Sequence, residues 1–113
     1  MKILVENLAK QALIDIYYHN YDYSLNAIET TQNILQHINN LKNLPYIGRY
    51  IPEMSDNRFR EIIYKKSRHS GYRIMYYISE ERKTIYIINI VNYKQNFSTS
   101  LKLQNYFKNY YNF

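Results

Sequence analysis

The sequence lacks cysteine altogether, and it has only two glycines and two prolines in 113 residues. Without cysteine there can be no disulfide, no thiolate zinc site and no cysteine nucleophile. It also has no glycine-rich phosphate loop and no serine nucleophile motif, which argues against nucleotide-dependent and acyl-transfer enzymes. Because His19, His37 and His69 show no metal-ligand spacing, we expect neither a metal nor a cofactor.

Long apolar runs are absent as well. No stretch is long enough to span a bilayer, and Glu6, Asn7 and Lys10 interrupt the apolar pattern that a signal peptide would need. We therefore expect a cytoplasmic protein. The length suits one domain over residues 1–113, and no internal repeat or linker divides the chain.

Positive charge is concentrated in the second half of the chain. Residues 1–48 contain three lysines and four acidic residues, whereas residues 49–113 contain twelve Lys/Arg and five acidic residues. Such a field attracts RNA or DNA phosphates, or an acidic protein partner. An ordinary basic surface without a ligand would have the same composition, so charge alone does not choose between them.

Helical periodicity dominates the first half. A short apolar start, Ile3 to Val5, could add an edge strand to a sheet. The first predicted helix has apolar residues at Leu8, Ala12, Leu13, Ile16 and Tyr17. The second, which Asp22 or Ser24 can cap, has Leu25, Ile28, Leu35 and Ile38 on one face, with Ile34 and Leu41 beside them. A short link between the two helices predicts a helix hairpin.

After Pro45, Gly48 and Pro52, which mark an irregular segment, the period changes to that of strands. Strands are predicted at Phe59–Lys66, Tyr72–Ser79 and Thr84–Asn92, joined by a turn at Ser67–Gly71 and a loop at Glu80–Lys83. The predicted fold is α+β: the helix hairpin packs on one face of a small antiparallel sheet, and the other face is open. The segment Leu101–Phe113 is compatible with a short C-terminal helix.

Four motifs, in this order, resemble the RelE/ParE family of type II toxin-antitoxin toxins. They are LPYIGRYIPE (Leu44–Glu53), FREIIYKK (Phe59–Lys66), GYRIMYYI (Gly71–Ile78) and IYIINIVNYKQNF (Ile85–Phe97). The order of two helices followed by a strand meander also matches the family fold. The resemblance implies a growth-inhibiting toxin, a cognate antitoxin as partner, and a toxin-antitoxin hetero-oligomer.

The resemblance leaves the target open. RelE-type members cleave mRNA on the ribosome, so a ribosome-dependent endoribonuclease (mRNA interferase) is the first hypothesis. A non-enzymatic inhibitor of DNA gyrase, as in ParE-type members, is the second, and a basic interaction module without toxicity is the third. Arg73 and Lys94 favour RNA, while the ParE-like Leu44–Glu53 segment favours gyrase, as does Asn92, which stands where many relatives have histidine.

Similarity to RelE implies a catalytic role for Arg73, with Lys94 and Tyr93 beside the reacting phosphate. Because Arg73 alternates with Ile74 and Tyr76, its side chain should leave the core and reach a phosphate. The alternative is an ion pair with a neighbouring carboxylate such as Glu61.

Nucleic-acid contacts are predicted for a further set of side chains. Four cations could follow a phosphate backbone and one tyrosine could stack on a base: Arg60, Lys65, Lys66, Arg68 and Tyr77. Lysines and arginines at a sheet edge also discourage aggregation, which is the competing interpretation of these four cations.

An antitoxin segment has two candidate docking places. An acidic, disordered segment could fold across the helix hairpin, or it could add a strand to the sheet edge. The aromatic tail from Leu101 to Phe113 either contributes to this surface or packs on its own domain.

Overall fold

The computed structural model describes residues 1–19, 24–54, 56–68 and 70–93. In chain order the elements are β1 (Lys2–Val5), α1 (Asn7–His19), α2 (Ser24–Asn40), β2 (Arg49–Tyr50), β3 (Phe59–Ser67), β4 (Ser70–Ser79) and β5 (Thr84–Asn92). The predicted tail helix at Leu101–Phe113 lies outside the described residues.

The five strands form one sheet in the order β1-β5-β4-β3-β2. Strands β3, β4 and β5 make the predicted antiparallel meander, and β1 adds a parallel edge strand on β5. A bulge at Ile88 interrupts the β4–β5 register between Met75 and Tyr76, so Met75 lies opposite Asn89 and Tyr76 opposite Ile87. The α+β fold class is therefore confirmed.

The main core lies between the two helices and one face of the sheet. Its fully buried sheet residues include Ile74, Tyr76, Ile85 and Ile87, and they face α1 and α2. The buried stripe of α2 differs from the predicted one: it consists of Ala27, Thr30, Ile34 and Ile38, and Leu41 continues it just after the helix. Ile28 and Leu35, which were expected on that stripe, are 43% and 44% exposed.

Part of the opposite face of the sheet is covered, so the prediction of an open face is wrong for that part. Ile51 and Met54, from the segment after β2, pack on Phe59, Met75 and Ile88 in a second apolar cluster. Sequence periodicity could not reveal this cover, because the segment that provides it is irregular and contains only the two-residue strand β2.

The buried side chain of Tyr76 forms two hydrogen bonds to the segment that precedes β2. Its hydroxyl donates to the carbonyl of Pro45 at 2.8 Å and accepts from the amide of Gly48 at 3.0 Å. A Cβ at Gly48 would lie 2.5 Å from that hydroxyl and 2.6 Å from the carbonyl oxygen of Glu61. Only glycine allows the segment to approach the sheet this closely.

Candidate functional site

Four charged side chains form a chain of alternating sign on the sheet face opposite the helices. We call Arg49, Glu61, Arg73 and Glu53 the ion cluster. Arg73 donates from Nε to Glu61 at 2.8 Å, and its two terminal nitrogens donate to the two carboxylate oxygens of Glu53 at 2.8 and 2.7 Å. Arg49 donates from Nε to the other oxygen of Glu61, also at 2.8 Å.

Strand register explains why these groups meet. Arg49 lies opposite Glu61 in the β2–β3 pair, and Arg73 is a diagonal neighbour of Glu61 because it lies opposite Ile63 in the β3–β4 pair. Glu53 arrives on the covering segment that follows β2. The cluster contains two positive and two negative groups, so its charges balance.

Arg73 is held as a cation inside the protein. Arg73 is only 5% exposed. Its hydrogen bonds to Glu53 raise the pKa of the guanidinium above its ordinary value, and those to Glu61 act in the same direction, while burial opposes them. The expectation that Arg73 leaves the core is therefore wrong, and the alternative that it pairs with Glu61 describes the geometry.

The other predicted contact residues fall into two groups at opposite ends of β3. Arg60 and Tyr77 lie at the end where β3 begins and β4 finishes, together with Arg58. Lys65, Lys66, Arg68 and Tyr93 lie at the other end. Four residues separate Arg60 from Lys65, so the groups are on the order of 15 Å apart along an extended strand. Lys94 lies outside the described residues.

Around Arg60 the side chains form a tyrosine–arginine surface, which we define as Tyr46, Tyr50, Arg58, Arg60 and Tyr77. The guanidinium carbon of Arg60 lies 5.1 Å from the ring centre of Tyr46 and 4.6 Å from that of Tyr50. Its NH1 also donates to the carbonyl of Gly48 at 2.8 Å. All but Tyr50 line one cleft of about 290 Å³.

Charge in this cleft is mixed rather than purely basic. Arg58 pairs with Asp56 at 2.5 Å, and the Tyr46 hydroxyl donates to Glu80, which raises the pKa of Tyr46. The composition therefore suits a protein surface better than it suits a row of phosphates.

At the far end of the sheet, the predicted catalytic Tyr93 is engaged with its neighbours. Its hydroxyl donates to the carbonyl of Arg68 at 3.2 Å, and the ammonium of Lys65 lies 5.9 Å from its ring centre. These contacts bring Tyr93 together with two of the predicted phosphate-binding residues, but not with Arg73.

Sequence reasoning assigned no role to Arg49 and Glu53. Their signal was present in the segment LPYIGRYIPE, where a cation and an acid stand four residues apart next to an irregular turn. Spacing in an irregular segment does not predict where a side chain points. Only the folded chain shows that Arg49 contacts Glu61 and that Glu53 contacts Arg73.

Within the described ranges, no helix is long and apolar enough to cross a membrane. The same residues contain no group of three or more His, Cys, Asp and Glu side chains arranged to hold a metal ion.

The fold has a counterpart among solved structures. A chain from a structure described as the chromosomal ParDE TA system from P. aeruginosa superimposes with a TM-score of 0.62 at 18% sequence identity. The match covers 80% of this chain and 94% of that one. At this identity the similarity shows the fold alone: a helix pair on a mostly antiparallel sheet.

A family model identifies the chain more specifically. The model of the ParE toxin of the type II toxin-antitoxin system parDE matches residues 3–97, which is most of the sequence. The chain belongs to the ParE toxin family. A comparison with curated proteins finds no match. Membership in a toxin-antitoxin family implies a cognate antitoxin as partner.

Proposed function

We propose that this toxin inhibits growth by binding DNA gyrase, and that it does not cleave mRNA on the ribosome. The family match supports the ParE-type reading. The observation that carries the proposal is the ion cluster, in which the guanidinium of Arg73 already donates hydrogen bonds to Glu53 and Glu61.

A phosphate clamp requires a cation that an incoming phosphate can reach. Here a phosphate would enter a site that already holds two carboxylates around Arg73, and it would have to displace at least one of them from a buried ion pair. Breaking such a pair leaves an uncompensated charge in a poorly hydrated place, which costs several kcal/mol, about 3–5 by analogy with other proteins. This cost argues against the arginine as a catalytic group.

The tyrosine–arginine surface is our candidate for the contact with gyrase. Tyrosine and arginine contribute most often to the energetically important part of protein interfaces. The guanidinium of Arg60 lies against the rings of Tyr46 and Tyr50, which restricts this side chain before binding, so less conformational entropy is lost on association. The ring of Tyr77 packs between those of Phe59 and Tyr86, and its centre lies 5.2 Å and 6.1 Å from their ring centres.

Two assays on the purified toxin separate the two targets. The toxin is titrated into a gyrase supercoiling reaction and, in parallel, into a cell-free translation reaction in which mRNA ends are mapped. We expect loss of supercoiling and uncut mRNA. Cuts at defined codon positions, with supercoiling intact, would refute the proposal.

A matched pair of variants tests the surface. Tyr50→Ser removes an exposed ring from the surface, and Tyr18→Ser removes one from α1; the two residues are 56% and 65% exposed. We expect Tyr50→Ser to weaken gyrase inhibition about tenfold, because truncating an energetically important interface residue costs on the order of 1–2 kcal/mol. Tyr18→Ser should inhibit like the wild type. Equal inhibition by both variants would show that the tyrosine–arginine surface does not contact gyrase. It would not argue against gyrase as the target.

A further inference from the structure

The end of β3 and the turn after it carry three cations, which we call the basic hairpin: Lys65, Lys66 and Arg68. Lys65 and Arg68 are exposed, and Lys66 is half-buried. Residues 62–79, which include the whole of β4, contain no aspartate or glutamate. This stretch of the two strands therefore contributes basic side chains and no acidic ones.

A bulge in β3 shapes the basic hairpin. The β3–β4 register shifts by one residue between Lys65 and Ser67, so Lys66 is an extra residue in β3. A bulge changes the direction in which the neighbouring side chains point. The two strands are also very close here, since a Cβ at Gly71 would lie 2.3 Å from the carbonyl oxygen of Tyr64. The bulge therefore depends on glycine at this position.

Tyr93, which follows β5, supports the basic hairpin from the neighbouring strand. Its amide donates to the carbonyl of Gly71 at 3.0 Å, and its hydroxyl donates to the carbonyl of Arg68 at 3.2 Å. The ammonium of Lys65 lies 5.9 Å from its ring centre. These contacts restrict the backbone that carries Lys65 and Arg68, so less conformational entropy is lost when a ligand binds the two cations.

The two ends of the sheet differ in how their cations are paired. At the tyrosine–arginine surface, Arg58 is paired with Asp56, and two glutamates line the cleft. In the part of the chain that the structure describes, no carboxylate forms an ion pair with Lys65 or Arg68. Neighbouring cations without carboxylate partners suit a row of phosphates, because each phosphate contact releases a counterion.

The tyrosines near the basic hairpin favour a duplex over a single strand. Proteins that bind single strands stack unpaired bases on aromatic rings, in addition to making phosphate contacts. Here Tyr64 and Tyr72 pack in the main core, and Tyr93 is engaged with Lys65 and Arg68. Phosphate contacts should therefore dominate, and a duplex offers the denser array of phosphates.

We propose that the basic hairpin binds the phosphate backbone of duplex DNA, without reading its sequence, while the tyrosine–arginine surface contacts gyrase. The two surfaces lie on the order of 15 Å apart along β3, so one toxin molecule can contact gyrase and the adjoining DNA together. The choice of DNA rests on gyrase as the proposed target, because DNA is the substrate of gyrase.

Fluorescence anisotropy with a short labelled DNA duplex tests the contact in the absence of gyrase. At low salt we expect the purified toxin to bind the duplex more tightly than single-stranded DNA or RNA of the same length. The logarithm of the association constant should fall linearly with the logarithm of the salt concentration. Absence of duplex binding at low salt would overturn the proposal. Equal or tighter binding of a single strand, or tighter binding of a matched RNA duplex, would overturn the choice of duplex DNA.

A matched pair of double variants locates the contact. Lys65→Gln with Arg68→Gln removes two charges from the basic hairpin, and Lys10→Gln with Lys42→Gln removes two exposed charges elsewhere. We expect the hairpin variant to bind the duplex at least about tenfold more weakly, and its salt slope to fall by about two, one for each phosphate contact. The control variant should bind nearly as the wild type does. Equal losses in both variants would show that net charge alone attracts DNA, and would overturn the proposal.

The gyrase supercoiling reaction tests whether the two contacts act together. With nonspecific DNA affinity of about 0.1 mM and an effective concentration on the order of 1 mM, the second contact contributes about tenfold. The hairpin variant should therefore inhibit gyrase about tenfold less than the control variant, provided that circular dichroism shows both to be folded.

The same reaction separates the failure of this proposal from the failure of the gyrase target. Equal inhibition by the two double variants would overturn the DNA contact beside gyrase and leave gyrase as the target. A toxin that binds the duplex through the basic hairpin but leaves supercoiling intact would refute the gyrase target, and the DNA contact itself would stand.

Discussion

The two faces of the sheet are both covered, but by different physical means. On the helix side, Ile74, Ile85 and Ile87 are buried among apolar residues of α1 and α2. On the other side, a smaller apolar cluster around Met75 lies beside the ion cluster. The packing of the helix side depends on the area of apolar surface removed from water. The packing of the other side depends in addition on the contacts among the four charged residues of the ion cluster.

This difference teaches how each face should respond to damage. An apolar core loses the transfer free energy of the atoms removed plus a term for the cavity left behind, and no charge is left unpaired. A buried ion cluster loses more when one member is removed, since its partners become unpaired charges. Single substitutions should therefore separate the two faces.

The largest expected effect is that of Arg73→Ala. The substitution leaves Glu53 and Glu61 without their shared cation, so the free energy of unfolding should fall by about 3–5 kcal/mol. Urea denaturation followed by circular dichroism measures this loss. Toxicity should fall in step with the folded fraction, a different reason from the loss of a catalytic group.

A triple variant sharpens this prediction. Arg73→Met combined with Glu53→Gln and Glu61→Gln removes the cation and both charges that depend on it. We expect this protein to be more stable than Arg73→Ala, because the three buried charges are replaced together and only the half-exposed Arg49 loses its partner. If the triple variant loses as much as the sum of its single substitutions, the ion cluster does not act as a unit.

An intermediate effect is expected for Tyr76→Phe. The variant keeps the buried ring but leaves the carbonyl of Pro45 and the amide of Gly48 without their hydroxyl partner. The free energy of unfolding should fall by about 1–3 kcal/mol. A loss below about 0.5 kcal/mol would show that these groups find water or another partner.

The same tyrosine gives the prediction a pH dependence. Burial raises the pKa of Tyr76 above its ordinary value of 10.0. At a pH above 10.0 the unfolded chain releases the phenol proton of Tyr76, while the folded chain still keeps it. The free energy of unfolding therefore falls as pH rises. Tyr76→Phe should flatten this alkaline loss. The loss should not vanish, because the pKa values of Tyr46 and Tyr77 are also raised.

The smallest expected effect is that of Ile87→Val on the helix face. Ile87 is fully buried, and loss of one methylene should lower the free energy of unfolding by about 0.5–1.5 kcal/mol. Measurements in low and high salt should give the same difference, since no charge is involved. A salt-dependent difference would contradict the contrast between the faces.

The sequence predicts the meander well because each strand has its own alternating pattern. The predicted bounds of β5 agree with the structure, and those of β3 and β4 differ at one end by one and two residues. Strand β2 was not predicted, since two residues show no period. On α2, Ala27 and Thr30 are buried although they carry little apolar surface, so the larger apolar residues Ile28 and Leu35 indicate the wrong face.

Arg73 shows the limit of the same reasoning at the candidate site. Alternation correctly placed its side chain on the face opposite Ile74 and Tyr76. Alternation does not report what covers that face, and here Ile51, Glu53 and Met54 cover it. The family resemblance was the more reliable guide to class, while the role that similarity to RelE implies for Arg73 stays a prediction, at a side chain that is only 5% exposed.

The balance of charge within the ion cluster also governs how the toxin meets other molecules. Because two arginines and two glutamates cancel there, the remaining ionisable groups still give the chain its net charge of +6. Long-range attraction of an acidic partner therefore originates outside the cluster, and it weakens when salt shortens the screening length. The charges of the cluster are engaged with one another inside the fold, whereas the other charges set how fast an acidic partner arrives.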